Sequence, residues 1–154
     1  GRRMRLTVKA APGRAILTSY SSGFLVEVPD SIPASEWDET VKAALALWLR
    51  RRVDGDAQAF VRRYSKKLGE EPRGVRIKEQ KHLWGSCGRD RVINLNWRLI
   101  FMPKTVLEYA VVHEVCHLKH RDHSAAFWRA VRSLLPDFEA RKEWLESNGV
   151  GFDL

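Results

Sequence analysis

The sequence predicts an α+β fold, a small antiparallel sheet packed against helices, with an H-E-x-x-H motif on a central helix. Three observations carry that reading. Short runs at 4–28 and 75–96 are β-rich or alternate with period two, as strands do. Runs after Ser35 and after Pro103 recur at helical spacing. The stretch "KTVLEYAVVHEVCHL" is apolar on almost every side, which puts its helix in the middle of the protein. A chain of 154 residues most simply makes one domain. That domain is expected to span 1–154, with N-terminal elements over 1–74 and a core over 75–149.

Each element has a local signal. "RLTVKA" and "GFLVEVP" read as a hairpin, with "APG" and "SSG" supplying turn chemistry. "DSIPASEW" leads into a helix with Ser35 as N-cap and acidic residues from Glu36 to Glu39 in its first turn. Val41, Leu45, Trp48 and Leu49 keep helical spacing. "DGD" at 54–56 is expected to break that helix or cap a second one, which Gly69 ends. "VRIKEQ" and "RVINLN" read as antiparallel strands joined by the polar stretch 84–90. Pro103 suits the first turn of the apolar helix. A further helix is expected from about His123 to Leu135, stopped by Pro136, and then a short one over "DFEARKEWLESNG", closed by Gly149.

Composition excludes several classes. Hydrophobic residues are 44% and charged residues 30%, a globular mixture rather than a disordered one. No apolar run reaches the roughly 18 residues that span a bilayer. The start "GRRMRLTVKA" is basic but lacks the apolar stretch of a signal peptide. Two cysteines, Cys87 and Cys116, are too few for a disulfide framework, so the cytoplasm is the expected compartment. The net charge of +8 is uneven: residues 48–91 hold thirteen Lys/Arg against six Asp/Glu. Such a segment reads either as a phosphate-facing surface for nucleic acid or as a solvated helix face.

Four of the five histidines, His113, His117, His120 and His123, fall within eleven positions. His113 and His117 stand one helical turn apart, where both imidazoles reach one metal, and Glu114 completes H-E-x-x-H. Chance gives that pattern in roughly one 150-residue chain per few hundred. A carboxylate inside an apolar helix is costly without a partner, and water activated by a metal would be one. Three neutral imidazoles and an open fourth position fit catalytic Zn2+. His120 lies seven residues after His113, about 10 Å along a straight helix, too far to share the ion. His123 can fold back if the chain turns near His120. Histidine tolerates the left-handed backbone that such a turn would use. Glu139 or Glu143 is the carboxylate alternative for the third ligand.

The stretches "WGSCGRDRVINLNWRLIFMP", "HEVCHLKHRDHSAAFW" and "PDFEARKEWL" together resemble the YgjP-like metallopeptidase family, related to the WLM and SprT-like zincins. The resemblance is strong over 75–149. It implies a zincin-like peptidase fold with Zn2+ held by His113, His117 and His123, and with Glu114 as catalytic base. It supplies no substrate, although the SprT-like relatives include proteases acting on DNA-bound proteins, which would suit the basic segment 48–91. A protein or peptide would lie extended along the edge of the 75–96 sheet. Tyr109, Arg98 and His82 are candidate donors to the oxyanion.

Other readings compete. "WGSC" reads as a tight turn with Trp84 plugging the core, or as the rim of the cleft. Cys87 could be a ligand, as in peptide deformylases, but the other signatures of that family are missing. Cys116, Phe127 and Trp128 read as packing residues. A YbeY-like endoribonuclease shares the histidine spacing, but typically has Gly where this chain has Glu114. A non-catalytic zinc module that binds nucleic acid would have no use for Glu114.

Overall fold

Both period-two regions form three-stranded sheets, and neither is the simple hairpin that the alternation suggests. The computed structural model describes residues 4–80 and 82–149. They divide into two compact units between Leu49 and Arg50.

In the first unit, β1 (Arg5–Ala11), β2 (Ile16–Tyr20) and β3 (Gly23–Pro29) lie in the order β1-β3-β2. The hairpin joins β2 to β3, and β1 runs parallel to β3. "ILTSY" takes the place next to β3 because only two residues separate it from that strand. The register sets Lys9 opposite Glu27, and the two form an ion pair at 3.0 Å. Gly23 lies opposite Arg5 so closely that a Cβ would stand 2.3 Å from the Arg5 carbonyl oxygen. Val26, Val28 and Val41 form the core here, with Val8, Leu17 and Trp37 packed around them.

Ser35 is not a helix cap. It sits inside a 3-10 turn, Ala34–Glu36, which follows Pro33 and has no side-chain cap. Helix α1 then runs unbroken from Trp37 to Leu68. The expected break at Asp54-Gly55-Asp56 does not occur. A helical glycine costs about 1 kcal/mol relative to alanine, but Val53, Ala57, Val61 and Tyr64 bury a continuous stripe across it. Asp56 stays in the helix and accepts a bond from Lys104 at 2.7 Å. Gly69, with φ +73, ends the helix as expected.

In the second unit, β4 (Gly74–Lys78), β5 (Gly85–Cys87) and β6 (Val92–Asn96) lie in the order β4-β6-β5. β4 and β6 run parallel, not antiparallel; the antiparallel partner of β6 is β5. Asn96 explains the crossover. It is buried, and its side-chain amide donates to the carbonyls of Gln80 (2.7 Å) and Leu83 (3.0 Å), which fixes the chain between β4 and β5. Thus "GSC" is a strand rather than a tight turn, and Trp84 before it is only half-buried. A 3-10 turn, Trp97–Phe101, leads to α2 (Lys104–Cys116), α3 (Ala125–Leu134) and α4 (Phe138–Asn148). Helix α2 packs against α3, α4, β5 and β6, which accounts for its apolar faces. Among the described residues, no helix is long and apolar enough to cross a membrane.

Candidate metal centre

Helix α2 ends at Cys116, with His117 as its C-cap, four residues before the position where the spacing suggests a turn. No left-handed residue is needed: Arg91 is the only non-glycine with positive φ among the described residues, so His120 is not in that conformation. The bonds Leu118 N to Val115 O and His120 N to Cys116 O close the helix end, and Ser124 then begins α3. This short connection returns His123 over the last turn of α2.

The result is a cluster of three imidazoles. One ligand-capable nitrogen from each of His113, His117 and His123 lies within 4.8 Å of the others. Tetrahedral zinc with Zn–N bonds of 2.0–2.1 Å needs ligand nitrogens about 3.3 Å apart. His113 Nε2 and His123 Nε2 already face each other at 2.9 Å. With both rings neutral, a contact between these nitrogens needs a proton on one of them; a cation would accept both lone pairs.

His117 has its outer nitrogen fixed. Its Nδ1 lies 2.9 Å from the His120 carbonyl, so Nδ1 carries the proton and Nε2 keeps its lone pair. His120 therefore serves through its backbone, and its imidazole is not in the cluster. Cys87, Glu139 and Glu143 are not in it either. Cys87 Sγ lies 4.0 Å from Arg121 Nη1, and Glu139 is bound to Arg132 at 2.6 Å.

Burial sets the charge states. It pushes the His113 imidazole down to about 3, with the neighbouring His117, His123 and Lys142 adding to the effect. Burial also lowers His117, against the opposing pull of the His120 carbonyl. Both rings are thus held neutral, the form that donates a lone pair to a metal. Glu114 is 6% exposed, and burial raises its carboxyl to about 8. Among the described residues, its Oε2 has no hydrogen-bond partner, and neither does His113 Nδ1. A cation held by the three rings would relieve the cost of a charged Glu114. On these grounds the residues fit a divalent metal.

Two features of the site escape the sequence. Glu114 lies against the backbone of β5: a Cβ on Gly85 would stand 2.6 Å from Glu114 Oε1. Phe127, fully buried, touches all three imidazoles, stacking on His117 at 4.6 Å and meeting His113 and His123 edge-on at 4.9 and 4.8 Å. Trp128, next to Phe127 on α3, stacks on His123 with ring centroids 5.8 Å apart. Both are packing residues, as expected, but what they pack is the site. Their signal was their spacing from His123, in "HSAAFW". Of the three candidate oxyanion donors, Tyr109 meets the cluster ring to ring, 6.0 Å from His113. Arg98 is bound to Glu79, and His82 is exposed.

A family model described as YgjP-like, metallopeptidase domain, matches residues 1–148. Among solved structures, the crystal structure of the metallopeptidase zymogen of Pyrococcus abyssi abylysin is similar with a TM-score of 0.54 and 20% identity. The match covers 63% of this chain and 99% of that one, and it speaks for the fold. No curated protein matches the chain.

Proposed function

The chain belongs to the YgjP-like metallopeptidase family, and from that premise we propose that it is a zinc-dependent peptidase with His113, His117 and His123 as ligands and Glu114 as general base. One observation carries the reading: three imidazoles converge at the end of α2, and Glu114, next to His113 in the chain, is buried with no hydrogen-bond partner for its Oε2 among the described residues. A bound zinc ion would supply Lewis acidity, bringing a coordinated water to a pKa of about 7 and polarising the scissile carbonyl. Glu114 takes the proton of the attacking water and passes it to the departing amine. The substrate lies extended along β5, whose residue Gly85 touches Glu114. Phe127 and Trp128 hold the rings and keep water from their buried sides.

Metal analysis tests the ligand set. The protein should bind one equivalent of zinc, and His113→Ala, His117→Ala and His123→Ala should each weaken or abolish it. Zinc retained at full affinity in His123→Ala would move the third ligand elsewhere.

The endoribonuclease and the structural zinc module lose ground to the family match. A narrower proposal keeps nucleic acid as the setting of the substrate, through the charges of 48–91. It is supported by cations such as Arg62 and Lys66 that make no ion pair among the described residues, whereas Arg50, Arg52 and Arg63 are paired with acids. Reversing Arg51, Arg62, Lys66 and Lys67 should then weaken oligonucleotide binding at low salt. We also place the protein in the cytoplasm, in keeping with two free cysteines.

A further inference from the structure

Apart from the metal centre, the second unit has an open groove of about 550 Å³. One wall is α1, through Arg50, Arg51 and Asp54; the other is Val75–Lys78 of β4. Four cations thus face one carboxylate. Arg50 donates to Glu79 at 3.0 Å, which fixes the rim at the end of β4. Arg51, Arg76 and Lys78 form no ion pair among the described residues.

The strand wall is also a sheet edge. β4 pairs with β6 on one side, and no described strand pairs with its other side. Its backbone N–H and C=O groups there can receive a further strand. Along β4 the side chains alternate: Arg76 and Lys78 are exposed on one face, while Val75 and Ile77 are half-buried on the other. Charged residues often guard an exposed edge against aggregation. A guard needs charge only on the strand, however, and here the facing helix is cationic as well.

We propose that this groove docks an extended acidic segment of a protein partner, added as a strand to the free edge of β4. Its carboxylates alternate toward Arg76 and Lys78, within reach of Arg51, and its intervening apolar side chains meet Val75 and Ile77. The groove lining contains no aromatic side chain on which a base could stack, so the peptide fits better than single-stranded nucleic acid. β5, beside Glu114, is the opposite edge of the same sheet, about 10 Å away at ordinary strand spacing. The docking site is therefore separate from the chemistry and does not depend on it.

The test is fluorescence anisotropy on the full chain with a capped, labelled peptide of alternating Glu and Val, seven residues long, at low salt. Binding should be saturable and should weaken about tenfold in the double variant Arg76→Glu, Lys78→Glu. Arg51→Glu, on the helix wall, should weaken it too, while Arg76→Lys retains it. All three positions tested are on the surface, and thermal melts confirm that the variants fold. A peptide of the same charge with Pro in place of Val loses the N–H of every second residue and is held toward polyproline II backbone, so it should bind poorly. The proposal fails if no saturable binding occurs, if the Pro peptide binds equally well, or if Arg51→Glu has no effect. It also fails if single-stranded RNA of equal charge binds through these residues while the peptide does not.

Discussion

Gly85 and Glu114 share a space that has no room for one more methyl group: a Cβ on Gly85 would stand 2.6 Å from Glu114 Oε1 and 2.7 Å from its Cγ. Glu114 is itself buried, so the carboxylate has little freedom to step aside. Gly85 has negative φ and lies in a strand, so the backbone does not demand glycine there. The neighbour does.

Gly85→Ala should therefore act on catalysis more than on folding. A displacement of the general base by about 1 Å is enough to lower kcat about 100-fold. Zinc content should stay at one equivalent, because the three atoms nearest the new methyl all belong to Glu114 and none to an imidazole. Full activity in Gly85→Ala would mean that Glu114 is not the base, or that it acts from another rotamer.

Phe127 provides the second test. Removing its ring leaves a cavity under the three imidazoles and should cost about 3–5 kcal/mol in stability. Zinc affinity, measured by chelator competition, should fall about 10- to 100-fold in Phe127→Ala. Phe127→Leu should recover most of the stability and less of the affinity, since leucine cannot stack on His117 as the ring does. If affinity and stability recover together, the ring is only a core filler.

These two residues mark the limit of what the sequence discloses. That His113 and His117 would come together was legible because a helix converts spacing into direction. The return of His123 toward them was legible too, although by the wrong turn: the helix ends at Cys116 through ordinary αR geometry, and His120 lends its carbonyl rather than a left-handed backbone. Helices α2 to α4 announce their ends through Pro103, Pro136 and Gly149. What stayed hidden depends on partners far away in the chain. The continuity of α1 through Gly55 comes from the buried stripe Val53–Tyr64 and from Lys104, 48 residues beyond Asp56. The parallel pairing of β4 with β6 depends on Asn96 holding the intervening carbonyls, and no alternation of residues shows it.

A third prediction concerns acid. Glu108 is a partly buried carboxylate bonded to Tyr64 (2.6 Å) and Arg141 (2.6 Å), with Arg63 at 3.6 Å. Burial alone would raise its pKa, but the bonds from Tyr64 and Arg141 outweigh it and hold Glu108 below the ordinary 4.5. A lowered carboxylate contributes stability that is present above about pH 4.5 and lost as pH falls through its folded value. Melting temperature should thus drop in acid, and Glu108→Gln should flatten that part of the curve while lowering stability at pH 7. Arg141→Ala, which leaves Glu108 without its strongest partner, should cost about 3 kcal/mol at neutral pH. An unchanged acid limb in Glu108→Gln would assign the transition to other carboxylates.

The last prediction separates chemistry from ligation. Glu114 is adjacent to His113 in the chain but is not one of the three converging metal-capable groups. Glu114→Gln keeps the shape of the side chain and gives up the charge. The buried site loses a carboxylate whose Oε2 has no partner among the described residues, so the fold should be at least as stable, and zinc should bind with its stoichiometry unchanged. Hydrolysis of an unstructured protein such as casein should fall about 100- to 10,000-fold, the range expected when a positioned general base is removed. Assays with single-stranded RNA and with a DNA-bound protein complete the comparison. Protein cleavage that disappears in Glu114→Gln while zinc remains would tie the carboxylate to the bond-breaking step. RNA cleavage that survives the substitution, with every protein substrate intact, would instead assign the metal to phosphodiester chemistry, because the only group lost is the one that a peptidase needs beside its water.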